Sequence, residues 1–253
     1  MQTTIFLLAR TSSTRLPKKA LLKIDGKPLI KILIDRIKRG VEDKKIIVCT
    51  TKLKSDDYLT EYLEKKKIKV LRGSNKDVLM RLYCAAREYR VSEFVVVEAD
   101  DIFCEPKFID QTRKKLKEGN FEYVCWENTP FGTTPTGIKT KKLELLISRK
   151  KTVNTDTGWG QIIKESGLFT ICSLKPNSKR LRRSDIRLSV DYVEDFNLIK
   201  KLYQNLPIRF SLSDIIDMLD KNPQWVKINK KAKKKYEKNF LTKKASIELR
   251  DKV

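Results

Sequence analysis

Histidine is absent from all 253 residues. Its absence removes Ser-His-Asp and Cys-His catalysis and every histidine metal site. Cysteine is sparse and scattered: Cys49, Cys84, Cys104, Cys125 and Cys172 are odd in number, form no C-x-x-C pair and sit mostly inside apolar runs. That usage argues against a disulfide framework and leads to the expectation of a reduced, cytoplasmic protein. No stretch reaches the roughly 18 to 20 consecutive apolar residues of a membrane-spanning helix, and the amino terminus runs directly into the strand-like Thr3–Leu8, so neither a membrane partner nor export is expected. Both G-x-x-x-x-G-K and G-x-G-x-x-G are missing, which weighs against the common phosphate-loop and nicotinamide-binding readings. Chemistry must therefore rest on Asp, Glu, Lys, Arg and hydroxyl groups.

Positive charge is abundant. Lys and Arg number 56 against 32 Asp and Glu, a formal charge of +24. A basic surface gathers polyanions by counterion release, but the excess is mostly lysine spread over nearly every helix, and it reads chiefly as solvated surface. Nucleic acid is not the expected partner, although the same field would help to collect a triphosphate.

Apolar runs alternate with amphipathic segments through the first half, the pattern of successive βα units and a largely parallel sheet, so the expected class is α/β. Strands are predicted at Thr3–Leu8, Lys45–Thr50, Lys69–Leu71, Glu93–Val97, Tyr123–Trp126 and Ile186–Val190. Helices are predicted at Pro28–Arg39, Asp56–Lys66, Lys76–Tyr89, Pro106–Lys117, Val193–Tyr203 and Ser213–Asp220; proline in the first turn and glycine just past the end punctuate two of them, at Pro28 with Gly40 and Pro106 with Gly119. From Asn128 to Lys179 the periodicity weakens and Gly, Pro and Thr accumulate, as in a substrate-facing insertion rather than core. After Asn229 the chain is lysine-rich with few apolar anchors.

Four segments carry chemistry. Ala9–Leu22 (A-R-T-S-S-T-R-L-P-K-K-A-L-L) follows the first strand and places Arg10, Arg15 and Lys19 with four hydroxyls at the carboxyl edge of a parallel sheet, where open α/β proteins bind ligands. Guanidinium groups take phosphate oxygens bidentately and lysine adds a point charge; composition alone reads the segment equally as a phosphate cradle or a basic surface loop. In V-V-V-E-A-D-D a buried strand delivers Asp100 and Asp101 to its carboxyl end, where adjacent carboxylates need a cation or donors, and hard oxygens of this kind suit Mg²⁺ bound with phosphates. The other reading is a solvated turn or a helix cap. R-L-S-V-D-Y-V-E-D-F ends in Asp191, which could complete a metal site with Asp100, while Glu194 and Asp195 serve the next helix's dipole. R-G-S-N-K-D-V-L-M-R opens a helix whose first amides could meet a base or phosphate, or simply forms a well-capped turn.

Taken in order, these segments, together with F-S-L-S-D-I-I-D-M-L-D-K-N-P near the end, resemble the cytidylyltransferase family that includes CMP-KDO synthetases and acylneuraminate cytidylyltransferases, and most closely its SpsF-like branch of spore coat polysaccharide biosynthesis proteins. Departures from the family pattern are Ser12 in place of glycine, Ala99 in place of the glycine before Asp100, and Ile102 in place of a proline. The resemblance implies a GT-A-like (Rossmann-like) three-layer α/β/α sandwich over residues 1–228, with a small insertion at about 128–180 and a basic tail at 229–253. It implies CTP on Leu8, Ala9, Arg10, Ser12, Ser13, Arg15 and Lys19, with Arg72, Ser74 and Asp77 from the second loop. Arg15, Lys19 and Asp100 are the implied catalytic groups, Asp100 and Asp191 the Mg²⁺ ligands, and Arg81, Thr136 and Lys139 the contacts to an acidic acceptor. The implied reaction passes CMP from CTP to a sugar acid with release of pyrophosphate, in a homodimer. Rival readings are a phosphonate or polyol-phosphate cytidylyltransferase, a GT-A glycosyltransferase that releases a nucleoside diphosphate, and a non-catalytic polyanion- or RNA-binding protein with steep salt dependence.

Overall fold

Side chains alternate along β1 (Thr3–Leu8), sending Ile5 and Leu7 to one face of the sheet and Phe6 and Leu8 to the other, and all four are buried. A strand covered on both faces belongs at the centre of a parallel sheet. In the computed structural model, which describes residues 3–42, 44–243 and 246–250, β1 lies between β4 (Lys44–Thr51) and β6 (Glu93–Glu98) and is parallel to both. β5 (Lys69–Gly73) extends the parallel region beyond β4. On the other side β8 (Thr136–Lys139) enters antiparallel between β6 and β7 (Tyr123–Trp126), and β9 (Ile171–Leu174) closes the edge parallel to β7. The described residues thus form a seven-stranded sheet in the order β5-β4-β1-β6-β8-β7-β9, plus a two-stranded ribbon of β2 (Lys23–Ile24) and β3 (Lys27–Pro28).

Helices cover both faces. One layer is α1 (Leu29–Gly40), α2 (Asp57–Lys65), α4 (Pro106–Lys117), α7 (Val193–Asn205) and α8 (Leu212–Lys221), packed through residues such as Leu33, Ile37, Ile109, Ile199 and Ile216. The opposite layer is α3 (Val78–Glu88), α5 (Thr140–Arg149) and α6 (Trp159–Glu165), packed through Leu79, Leu82, Leu146 and Ile162. This is the expected three-layer sandwich, and the five cysteines are all free. No helix among the described residues is long and apolar enough to cross a membrane.

Three expectations need correction. Ile186–Val190 is extended but is not a ladder strand; it makes one isolated parallel bridge, Phe131 to Arg187. Its apolar alternation instead serves packing, with Ile186, Leu188 and Val190 pointing into the core. The region 128–180 contributes to the core, because β8, α5, α6 and β9 lie within it and Ile138, Leu143, Leu146, Ile162 and Ile163 are fully buried. Its period was hidden because these elements are short. Gly137 permits this arrangement: a Cβ there would lie 2.7 Å from Thr112 Cγ2 and 2.8 Å from Leu116 Cδ1, so α4 rests directly on the strand. Finally, the lysine-rich segment after Asn229 forms a helix, α9 (Lys230–Lys243). Lysine and alanine are good helix formers, and only one face of the helix requires anchors.

Candidate active site

The loop after β1 is held by a carboxylate that sequence reasoning placed inside a helix. Asp56 is fully buried just before α2 and accepts from Thr11 N (2.7 Å), Thr11 Oγ1 (2.7 Å), Thr50 Oγ1 (3.0 Å), Thr51 N (3.2 Å) and the Thr51 hydroxyl. Burial alone would raise its pKa, but these hydrogen bonds, led by Thr51 and Thr11, lower it below the usual carboxylate value. Lys18 N donates to Thr11 O at 3.1 Å and closes the loop, with Lys18 itself in the left-handed region at φ 54°. We expect Asp56→Asn, which places donors against donors, to lose about 3 kcal/mol of stability, a fall in Tm of roughly 6 to 12 °C, visible by calorimetry.

So tethered, the loop aims Lys19 at two carboxylates from distant parts of the chain. Lys19 Nζ donates to Asp100 and, at 3.0 Å, to Asp191 Oδ1. Asp100 follows the carboxyl end of β6, and its carbonyl accepts from Val190 N at 3.0 Å, which brings the 186–191 segment alongside. Gly132 allows the neighbouring approach: at φ 92°, any Cβ would lie 2.8 Å from the Leu188 carbonyl carbon and nearer still to Ser189 N.

Cations surround Asp191. Arg15 donates to Oδ1 and Arg187 to Oδ2 at 2.6 Å. Behind it, fully buried Asp195 accepts from Asp191 N and Tyr192 N at 3.0 Å each, from Arg187 Nε at 3.1 Å and from Asn229 Nδ2 at 2.8 Å. Asp195 is thus more than a dipole partner for α7; it fixes the loop that carries Asp191. Although burial opposes ionisation, Lys19, Arg15 and Arg187 hold the Asp191 carboxyl well below the usual carboxylate range. Burial likewise opposes the Lys19 charge, yet Asp100 and Asp191 raise its pKa above that of an ordinary lysine. The pair therefore stands as two carboxylates sharing one ammonium.

These groups line a cavity of about 580 Å³, a size suited to a small ligand. Leu8, Ala9, Arg10, Ser12, Ser13, Arg15, Lys19, Asp100 and Asp191 all reach it, as do Arg81 and Thr136. Arg10 pairs with Asp156 at 2.7 Å. Arg81, 2% exposed, has its guanidinium spent on the second loop, donating to Ser74 O at 3.0 Å and Asn75 O at 3.5 Å.

Four expected contacts lie elsewhere. Arg72 pairs with Asp57 at 2.7 Å and binds the Thr51 and Leu53 carbonyls, Ser74 Oγ accepts from Asp77 N at 3.1 Å, and Asp77 caps α3 while pairing with buried Lys150. Their side chains are used up in holding the loop. Lys139 sits opposite Glu93 at the amino end of β6, the wrong end of the sheet, whereas Thr136 sits opposite Val96 near the carboxyl end.

Among the cavity groups that sequence reasoning missed, two stand out. Glu98, last residue of β6, is oriented by Trp159 Nε1 at 2.8 Å. Burial, and then the charge of Asp100, push its carboxyl up to about 7. Alternation along β6 signals this position, since Glu98 follows the buried run of apolar residues. Tyr236 of α9 is the second, and no local signal marks it.

The profile of the family described as Cytidylyltransferase matches residues 4–215. An uncharacterized protein of Methanocaldococcus jannaschii is 33% identical over 229 residues, covering 90% of this chain and 94% of that protein. The spore coat polysaccharide biosynthesis protein SpsF of Bacillus subtilis is 26% identical over 235 residues, 88% of this chain and 96% of SpsF. Among solved structures, a cytidylyltransferase from Leptospira borgpetersenii serovar Hardjo-bovis superposes with a TM-score of 0.79 at 24% identity, covering 89% of this chain and 97% of that one, and thus shares the fold. With the motif-bearing loop, the sheet and the paired aspartates all inside the matched span, the chain belongs to the cytidylyltransferase family.

Proposed function

We propose that the protein transfers CMP from CTP to an acidic acceptor, a sugar acid, with release of pyrophosphate. The observation that carries this reading is the shared ammonium: Lys19 joins Asp100 to Asp191 beside a loop that presents Arg10 and Arg15 to the same cavity. An acceptor hydroxyl oxygen attacks the α-phosphorus, forming the new O–P bond as the bond to pyrophosphate breaks and the hydroxyl proton passes to solvent. Arg15 and Lys19 neutralise the charge that gathers on the phosphate oxygens, and positioning supplies the rest.

Mg²⁺ fits the residues present. Two hard carboxylates already converge on a cation, the Lys19 ammonium. That favours an ion held by Asp100 and Asp191 together with phosphate oxygens and water, as Mg²⁺ usually is. Bound there, it would draw charge from the triphosphate and leaving pyrophosphate.

The test is pyrophosphate release with each of the four nucleoside triphosphates against a panel of sugar acids, phosphonates and polyol phosphates, with Mg²⁺. Release with CTP and a sugar acid is expected. A nucleoside diphosphate as product would instead assign a glycosyltransferase, and salt-sensitive oligonucleotide binding without pyrophosphate would assign a polyanion-binding protein.

A further inference from the structure

The family profile ends at residue 215, but the cavity continues beyond it. α9 brings Tyr236, Asn239 and Phe240 to the wall, at helical spacing from buried Ala232, while Lys231, Lys234 and Lys238 face solvent. The Tyr236 ring lies 4.3 Å from the Arg187 guanidinium and 5.9 Å from that of Arg15, the two groups that grip Asp191. Ring–guanidinium contacts of this kind are favourable and gain strength when desolvated. Three further hydrogen bonds fix the helix in place. Asn239 Nδ2 donates to Tyr192 Oη at 2.8 Å, one residue past Asp191, and buried Asn229 just before the helix donates to Asp195 and to Arg187 O. Phe131 and Phe240 flank Tyr236 with ring centroids 5.1 and 6.1 Å away, which makes a continuous aromatic surface.

Tyr236 thus lies on the Asp191 side of the cavity, against the guanidinium groups of Arg187 and Arg15. The α9 side offers a phenol, a carboxamide and an aromatic face, uncharged groups that suit the hydroxyls and C–H face of a sugar ring. Lys164, which lines the same cavity, supplies a cation for an acid group.

We infer that α9 is the acceptor-side wall of the site: Tyr236 is a positioning residue for Arg15 and Asp191, and Asn239 and Phe240 select cyclic, hydroxylated acids. This rests on the nucleotidyl-transfer reading above. The test uses the full chain, with calorimetric binding of CTP in Mg²⁺ and acceptor KM measured on a panel of cyclic sugar acids, linear sugar acids and phosphonates. Tyr236→Leu weakens CTP binding about tenfold, because the guanidinium clamp is lost. Phe240→Ala holds CTP affinity within about twofold but raises the KM of cyclic acceptors about tenfold and narrows the preference for them over linear ones. Lys234→Ala, on the solvent face, changes neither value. The inference is overturned if Phe240→Ala retains the acceptor KM and selectivity of the unmodified protein, or if a Tyr236→Leu protein with a normal melting transition binds CTP unchanged. An unmodified protein that binds no CTP overturns the nucleotide reading together with this one; normal CTP binding with indifferent α9 variants overturns this one alone.

Discussion

Asp100→Asn is expected to cut turnover by about a hundredfold or more, roughly 2.7 kcal/mol of transition-state stabilisation, while the protein keeps its fold. The substitution preserves volume, and the contact that docks the 186–191 segment is made by the Asp100 main-chain carbonyl, which the change leaves alone. What disappears is a negative oxygen facing Lys19. With it goes half of the pair proposed to hold Mg²⁺ against the triphosphate. Pyrophosphate release measured beside a melting curve separates the two effects, and an unchanged rate would remove Asp100 from the mechanism.

Lys19→Met is expected to lower turnover on the order of a hundredfold to a thousandfold and, unlike Asp100→Asn, to destabilise the free protein. Asp191 retains Arg15 and Arg187, but no other cation pairs with Asp100 among the described residues. Removing one member of a mostly buried ion pair leaves an uncompensated charge, a loss of about 3 kcal/mol. A divalent cation should replace much of that missing charge. Millimolar Mg²⁺ should therefore raise the Tm of Lys19→Met more than that of the unmodified protein. Equal Mg²⁺ shifts in the two proteins would argue that the carboxylates do not form the metal site.

Legibility in the sequence followed the range of the interactions. β1, β7 and α4 fall at the bounds read from the sequence, because alternation of apolar residues in the strands and Pro106 and Gly119 around the helix are local signals. The cation-bearing loop after β1 was equally legible, since Arg10, Arg15 and Lys19 follow closely on a buried strand. Asp100 and Asp191 were each visible as an acid at the end of an apolar run, although the second run proved to be packed coil. Their convergence depends on contacts 81 and 172 residues apart in the chain, which no local pattern encodes. Arg72, Ser74 and Asp77 show the converse failure. They stand in the loop that opens α3, but neighbouring residues take up their side chains, and composition cannot tell a group aimed at a ligand from one that holds the loop. Asp56, Asp195 and Tyr236 went unrecognised for a related reason: each works by gripping other residues of the site, and that work is done in three dimensions.

The most direct test of the central claim is a crystal structure with CTP and Mg²⁺. The account predicts the triphosphate lying on the Arg10–Lys19 loop, with one metal ion touching both Asp100 and Asp191 and Lys19 moved from between them onto phosphate. Nucleotide bound elsewhere, or a metal that leaves the two carboxylates bridged by Lys19, would contradict it.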